Sequence, residues 1–114
     1  MGEYGLCGKM VAVAGQGSAL AGYLLEAAAA LDDLDACRLY VVSRDPEDPD
    51  AVWVIEVWES AEAHLGSLQL AAVQELIARA RPIIASMGER FEMAPIGGKG
   101  LTSAPPPGRE GAAA

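Results

Sequence analysis

The chain has 114 residues, 52% of them hydrophobic and 21% charged, with sixteen acids against eight bases and a formal charge of −8. That length sets one domain around one core, the acidic balance repels a phosphate backbone and argues against nucleic acid as a partner, and no apolar run approaches the roughly 18 to 20 residues of a membrane span. So large an apolar fraction on so small a body predicts self-association.

In chain order, Met1 to Tyr4 holds no basic cluster and no apolar run, so nothing resembles a signal peptide and residues 1–7 read as a short N-terminal extension. Cys7 and Cys37 form neither a CxxC pair nor a zinc spacing, which makes a reduced, cytoplasmic protein the expectation. Lys9 to Ala14 is short and apolar and reads as a first strand, closed by Gly15-Gln16-Gly17. The run Gly15 to Leu20 starts like a dinucleotide-binding loop, but Leu20 stands where the third glycine belongs, and a plain turn is the better reading.

Ser18 is the expected N-cap of a helix in which Leu20, Tyr23, Leu24, Ala27, Ala28 and Leu31 recur at helical spacing. Asp32-Asp33-Leu34-Asp35 breaks it. Residues 36–44 then alternate as a second strand, with Cys37, Leu39 and Val41 on one face and Arg38, Tyr40, Val42 and Arg44 on the other. The acid- and proline-rich stretch Asp45 to Asp50 reads as a hairpin loop without calcium-loop spacing, and Val52 to Trp58 as a third strand antiparallel to the second.

Ser60 can cap a second helical stretch whose apolar face (Leu65, Leu68, Leu70, Val73, Leu76, Ile77, Ala80) reaches Arg81-Pro82, with Gly66 as a point of division. Glu89 to Ile96 alternates as a last strand, and residues 97–114, rich in Gly, Pro and Ala, read as a flexible tail. Residues 8–96 therefore predict an α+β domain of β-α-β-β-α-β order: a ferredoxin-like, four-stranded antiparallel sheet with both helical stretches on one face. The strands are apolar on both faces, so the helix-free face is expected to pack against a second copy.

With the strand end Glu56-Val57-Trp58-Glu59-Ser60, the following His64-x-x-Ser67 and the upstream Arg44-Asp45-Pro46-x-Asp48-Pro49, residues 8–96 resemble the antibiotic biosynthesis monooxygenase family. The resemblance implies a homodimeric α+β barrel. It also implies a cofactor-independent monooxygenase that oxidises a quinol, an anthrone or a similar hydroxylated aromatic with molecular oxygen, in the manner of the family's small quinol monooxygenases. Many members place three more residues between the Trp and the His. A related branch degrades haem with a histidine in the following helix, and Leu68 to Arg81 contains none.

His64 is the only histidine, and its ordinary pKa near ~6.5 keeps a neutral imidazole available as a catalytic base; a half-exposed histidine at a helix start is the plain alternative. Trp58 either walls a cavity by stacking on an aromatic ligand or simply packs the core. Glu56, inside an apolar strand, must be paired, with Arg38 or Arg44 of the neighbouring strand or with a group across a dimer the first expectation, or else bind substrate. Tyr40 is a candidate to orient a substrate hydroxyl. Arg81 or Arg79 could hold an anionic substituent, though both suit a helix C-terminus equally well. No metal set and no cofactor motif is visible, and the competing functional reading is a non-enzymatic dimer that binds an apolar small molecule or a protein partner.

Overall fold

In the computed structural model, which describes residues 3–101, β1 (Tyr4–Ala12) leads through a glycine turn into α1 (Gly17–Ala30). β2 (Cys37–Asp45) and β3 (Asp48–Trp58) form a hairpin, followed by α2 (Ala61–Ser67), α3 (Ala71–Ala80), a 3-10 turn at Arg81–Ile83 and β4 (Ile84–Met93). The sheet order is β2-β3-β1-β4 with every pair antiparallel. This is the ferredoxin-like α+β arrangement that the element order predicts. The expected tail residues 102–114 lie outside the described residues.

Several boundaries differ from the sequence reading, each for a physical reason. β1 begins at Tyr4, not Lys9, because residues 4–7 find partners on both sides: Tyr4 faces Trp58, and Cys7 faces both Ile55 and Phe91. Residues 4–7 are thus sheet rather than extension. β3 begins at Asp48, since Asp45 pairs with Asp48 and the loop shrinks to Pro46-Glu47. β4 runs Ile84–Met93 instead of 89–96, held by the ladder to β1 although its own alternation is interrupted by Gly88. The second helical stretch breaks at Leu68–Leu70, just past Gly66, into α2 and α3.

Ser18 is not the cap of α1. The cap is Gln16, which makes no side-chain cap bond. Asp50, from the start of β3, accepts the Gly15 N–H at 3.1 Å and the Gly17 N–H at 3.0 Å, while the Ser18 hydroxyl accepts from Arg44 at 3.3 Å. An internal carboxylate therefore takes the backbone donors that a phosphate would use at a helix N-terminus, which agrees with reading Gly15 to Leu20 as a turn. Ser60 does cap α2, its hydroxyl accepting the Ala63 N–H at 3.0 Å.

Alternation sorts the strands cleanly. Leu6, Met10, Ala12, Val52, Val54 and Trp58 point to the helices and are buried or packed on the buried clusters with Leu20, Leu24, Leu31, Val73 and Ala80. An extra residue, Arg38, bulges β2 between Cys37 and Leu39. The bulge turns Cys37 to the helix side beside Trp58, away from Leu39 and Val41 with which simple alternation had grouped it. The opposite face carries Val41, Ile55, Phe91 and Met93, all exposed in the single chain.

Candidate active site

Between the sheet and the helices lies a cavity of about 560 Å³, within the range of pockets that enclose small organic ligands. Its floor is the helix-side face of β1 and β3, from Trp58 through Leu6, Gly8 and Val54 to Met10. Its roof is formed by Leu20, Tyr23 and Leu24 of α1 with Val73, Leu76 and Ile77 of α3. Tyr40, Glu56, Trp58, His64 and Arg81, the five residues singled out from the sequence, all line it.

The polar end is assembled by strand periodicity and a short turn. Glu56 and Trp58 are two residues apart on β3 and share the inner face, and the Ser60 cap starts α2 so soon after Trp58 that His64 is carried back over it. The Trp58 indole N–H donates to Glu56 Oε1 at 2.9 Å, and the same oxygen lies 3.7 Å from His64 Nε2. The two side chains are only 13% and 14% exposed, so solvent would screen any charge interaction between them weakly. The imidazole and the carboxylate therefore share the polar end of the cavity.

Glu56 pairs with neither arginine expected for it. Tyr40 is the residue opposite Glu56 in the β2–β3 register, whereas Arg38 sits in the bulge and bonds Glu3 at 3.1 Å, and Arg44 lies opposite Val52 and donates to the Pro49 carbonyl at 2.9 Å. The carboxylate is instead left to the imidazole and the indole. Trp58 packs the core, fully buried against Leu31 and Val73, and also belongs to the residues that line the cavity.

His64 stands between two aromatic rings, edge-on to Trp58 at a centroid distance of 5.5 Å and tilted on Tyr4 at 5.6 Å. The Tyr4 hydroxyl donates to Glu92 at 2.7 Å and accepts from Arg90 at 3.3 Å, which fixes the ring from β4. Tyr4 is missed when residues 1–7 are read as an extension. The alternation Tyr4, Leu6, Gly8, Met10 was the signal that could have placed it on the inner face.

Tyr40 remains a phenol. Burial first, then the Glu56 carboxylate and Cys37, pushes its pKa far above the ordinary value of 10.0, so it can donate a hydrogen bond throughout the cellular pH range. The Cys37 thiol is pushed up by burial and by Glu56 as well. Below pH 10 folded and unfolded chains both hold the Tyr40 proton. Above it only the unfolded chain releases the proton, so stability falls as pH rises. Tyr40→Phe is expected to flatten this alkaline loss in urea-unfolding midpoints measured from pH 8 to 11; an unchanged slope would assign it to Cys37 and to Tyr4, whose pKa is raised by its hydrogen bond to Glu92.

Of the two arginines weighed from the sequence, Arg79 ties the helices together, bonding Glu26 of α1 at 3.2 Å with its guanidinium 5.5 Å from the Tyr23 ring. Arg81, in the 3-10 turn after α3, is exposed and reaches the cavity lining. Among the described residues no three His, Cys, Asp or Glu side chains gather as a metal set, and no helix is long and apolar enough to cross a membrane.

A four-stranded antiparallel sheet with its helices on one face and an apolar, histidine-bearing cavity between the layers defines a ferredoxin-like α+β protein. The chain belongs to the antibiotic biosynthesis monooxygenase family, whose model matches residues 7–79. It is similar to a solved protein of Chloroflexus aurantiacus named as a candidate antibiotic biosynthesis monooxygenase, at 48% identity and a TM-score of 0.81, over 88% of this chain and 99% of that one. A Caulobacter crescentus structure with the same description shares the fold at 15% identity and a TM-score of 0.76, over 84% of this chain and 92% of that one. A third, from Deinococcus radiodurans, does so at 24% identity and a TM-score of 0.69, over 81% and 91%. No curated protein matches the chain.

Proposed function

We propose that the protein is a cofactor-independent monooxygenase acting on a quinol, an anthrone or a similar hydroxylated aromatic. The observation that carries this reading is the placing of the imidazole beside a carboxylate at the wall of an apolar cavity large enough for an aromatic ligand. Such a substrate is a poor reductant of oxygen until it loses a proton, and removing that proton is the service this site is equipped to give.

The ligand lies beside His64 with its acidic hydrogen toward the imidazole. His64 takes the proton, and Glu56 stabilises the imidazolium that results. The substrate anion passes one electron to oxygen, superoxide and the substrate radical combine to form a carbon–oxygen bond, and the proton held by His64 converts the resulting peroxide anion to the hydroperoxide. For an anthrone the remaining C–H proton is then lost to the departing hydroxide as the O–O bond breaks, so that one oxygen atom stays as the new carbonyl and the other leaves as water. Tyr40 donates to a substrate oxygen and Arg81 holds an acidic substituent.

The test is oxygen uptake by metal-stripped protein offered a panel of anthrones and hydroquinones. Uptake above autoxidation is expected on at least one of them. None above background on any would leave a binding protein with no oxidative role.

The reading includes a homodimer in the reducing cytoplasm, with Cys7 and Cys37 as free thiols. Its support is the helix-free sheet face, where Phe91 is 53% and Met93 49% exposed beside Val41 and Ile55, a contiguous apolar surface that a second copy related by a two-fold axis would cover. Sedimentation at micromolar concentration is expected to give twice the chain mass. A folded single chain would refute the dimer.

A further inference from the structure

We infer that Gly8 sets the size of ligand the cavity accepts, its missing side chain leaving a passage between the His64 end and the Arg81 end through which a fused-ring aromatic can extend. The choice of aromatic ligands rests on the oxidation reading above; the passage itself does not. Gly8 belongs to the inner-facing series of β1, between Leu6 and Met10, with Val54 of β3 and Arg90 of β4 as its partners across the sheet, and all of these line the cavity.

Gly8 adjoins a register shift between β1 and β4, but the extra residue of that bulge belongs to β4, so the backbone of Gly8 itself does not require glycine. Positive φ occurs at Gly15, Gly97, Gly98 and Gly100, not at Gly8. Nor does packing require it, because a Cβ built at Gly8 would meet no heavy atom within 4 Å, whereas one at Gly5 would stand 3.1 Å from Pro95 and one at Gly88 3.0 Å from the Lys9 side chain. Glycine inside a strand weakens it through backbone entropy and through the absence of a packing side chain. A residue that is permitted, exchangeable and unfavourable for the strand, yet sits under an open cavity, is explained by the space it leaves.

Its position gives that space a consequence. Along β1, Tyr4 pairs with Trp58 at the His64 end and Ala12 with Ile84 next to the 3-10 turn that bears Arg81, so Gly8 is midway between the two. A branched side chain at this point would stand up from the floor and divide the cavity. A single-ring ligand would still fit at the His64 end, while a three-ring ligand reaching from His64 toward Arg81 would collide with it.

The test compares wild type, Gly8→Ala and Gly8→Val for binding of two probes that the site does not oxidise, anthraquinone-2-carboxylate and 4-hydroxybenzoate, followed by quenching of tryptophan fluorescence. The ratio of three-ring to single-ring affinity is expected to fall at least tenfold in Gly8→Val and less in Gly8→Ala, with the melting temperature unchanged or raised because valine suits a strand. An unchanged ratio, an equal loss of both probes, a lowered melting temperature or a wild type that binds neither probe would overturn the inference. Neither readout depends on turnover. Size selection without oxygen uptake would therefore remove the oxidation reading and leave the role of Gly8 standing.

Discussion

Gly17→Ala is expected to destabilise the fold severely. A Cβ at this first residue of α1 would overlap the Pro49 carbonyl oxygen and come within 2.8 Å of Asp50 Cα, both of them backbone atoms with no rotamer to yield. The close approach is the one that lets Asp50 accept the Gly15 and Gly17 N–H groups, so relieving the clash also breaks two hydrogen bonds. Overpacking together with lost backbone donors puts the cost at about 4 kcal/mol or more, a fall in melting temperature of more than about 15 °C for a domain of this size. Gly22→Ala, inside the same helix with nothing within 4 Å of the added Cβ, is expected to stabilise by about 0.5 to 1 kcal/mol. Thermal melts of the two variants should move in opposite directions; a Gly17→Ala protein that melts with wild type would show that β3 is not packed on the turn as described.

Trp58→Ala carries the second large effect. The side chain is fully buried between Leu31 and Val73, and truncating it leaves a void worth about 3 to 5 kcal/mol. It also strips Glu56 of its indole donor in a poorly solvated place. Trp58→Phe separates the two contributions, since it keeps most of the ring and loses only the N–H, at about 1 to 3 kcal/mol. Urea unfolding of both variants checks the ordering. Equal losses for Phe and Ala would mean that the bond to Glu56, not the packing, is what Trp58 supplies.

The features that local chemistry dictates were legible in the sequence, and those that need a distant partner were not. The helical spacing of Leu20, Tyr23, Leu24 and Leu31, the Ser60 cap and the alternation of Val52 to Trp58 each depend on neighbours in the chain, and each appears where expected. The extent of β1 and β4 depends on hydrogen bonds between segments some eighty residues apart, and there the local pattern misled: Gly5 and Gly8 disguise the start of β1, and the break at Gly88 hides the first half of β4. The same limit applies to the site. Scarcity of titratable groups was enough to single out His64 and its neighbours on β3, and those residues do come together around one cavity. Arg38 is taken away from Glu56 by a β2 bulge that no residue pattern announces, Arg44 is held opposite Val52, and Tyr4 reaches His64 because β1 pairs with β3 from Tyr4 onward.

In the proposed oxidation the imidazole at the cavity wall starts the reaction by taking a proton from the bound aromatic. The most direct measurement is the steady-state oxygen-consumption rate of His64→Ala beside wild type, on whichever anthrone or hydroquinone the wild type consumes fastest, with ligand affinity measured separately. A base in this position predicts a fall in kcat of about 10²- to 10⁴-fold with binding largely retained. A variant that consumes oxygen as fast as wild type would contradict it.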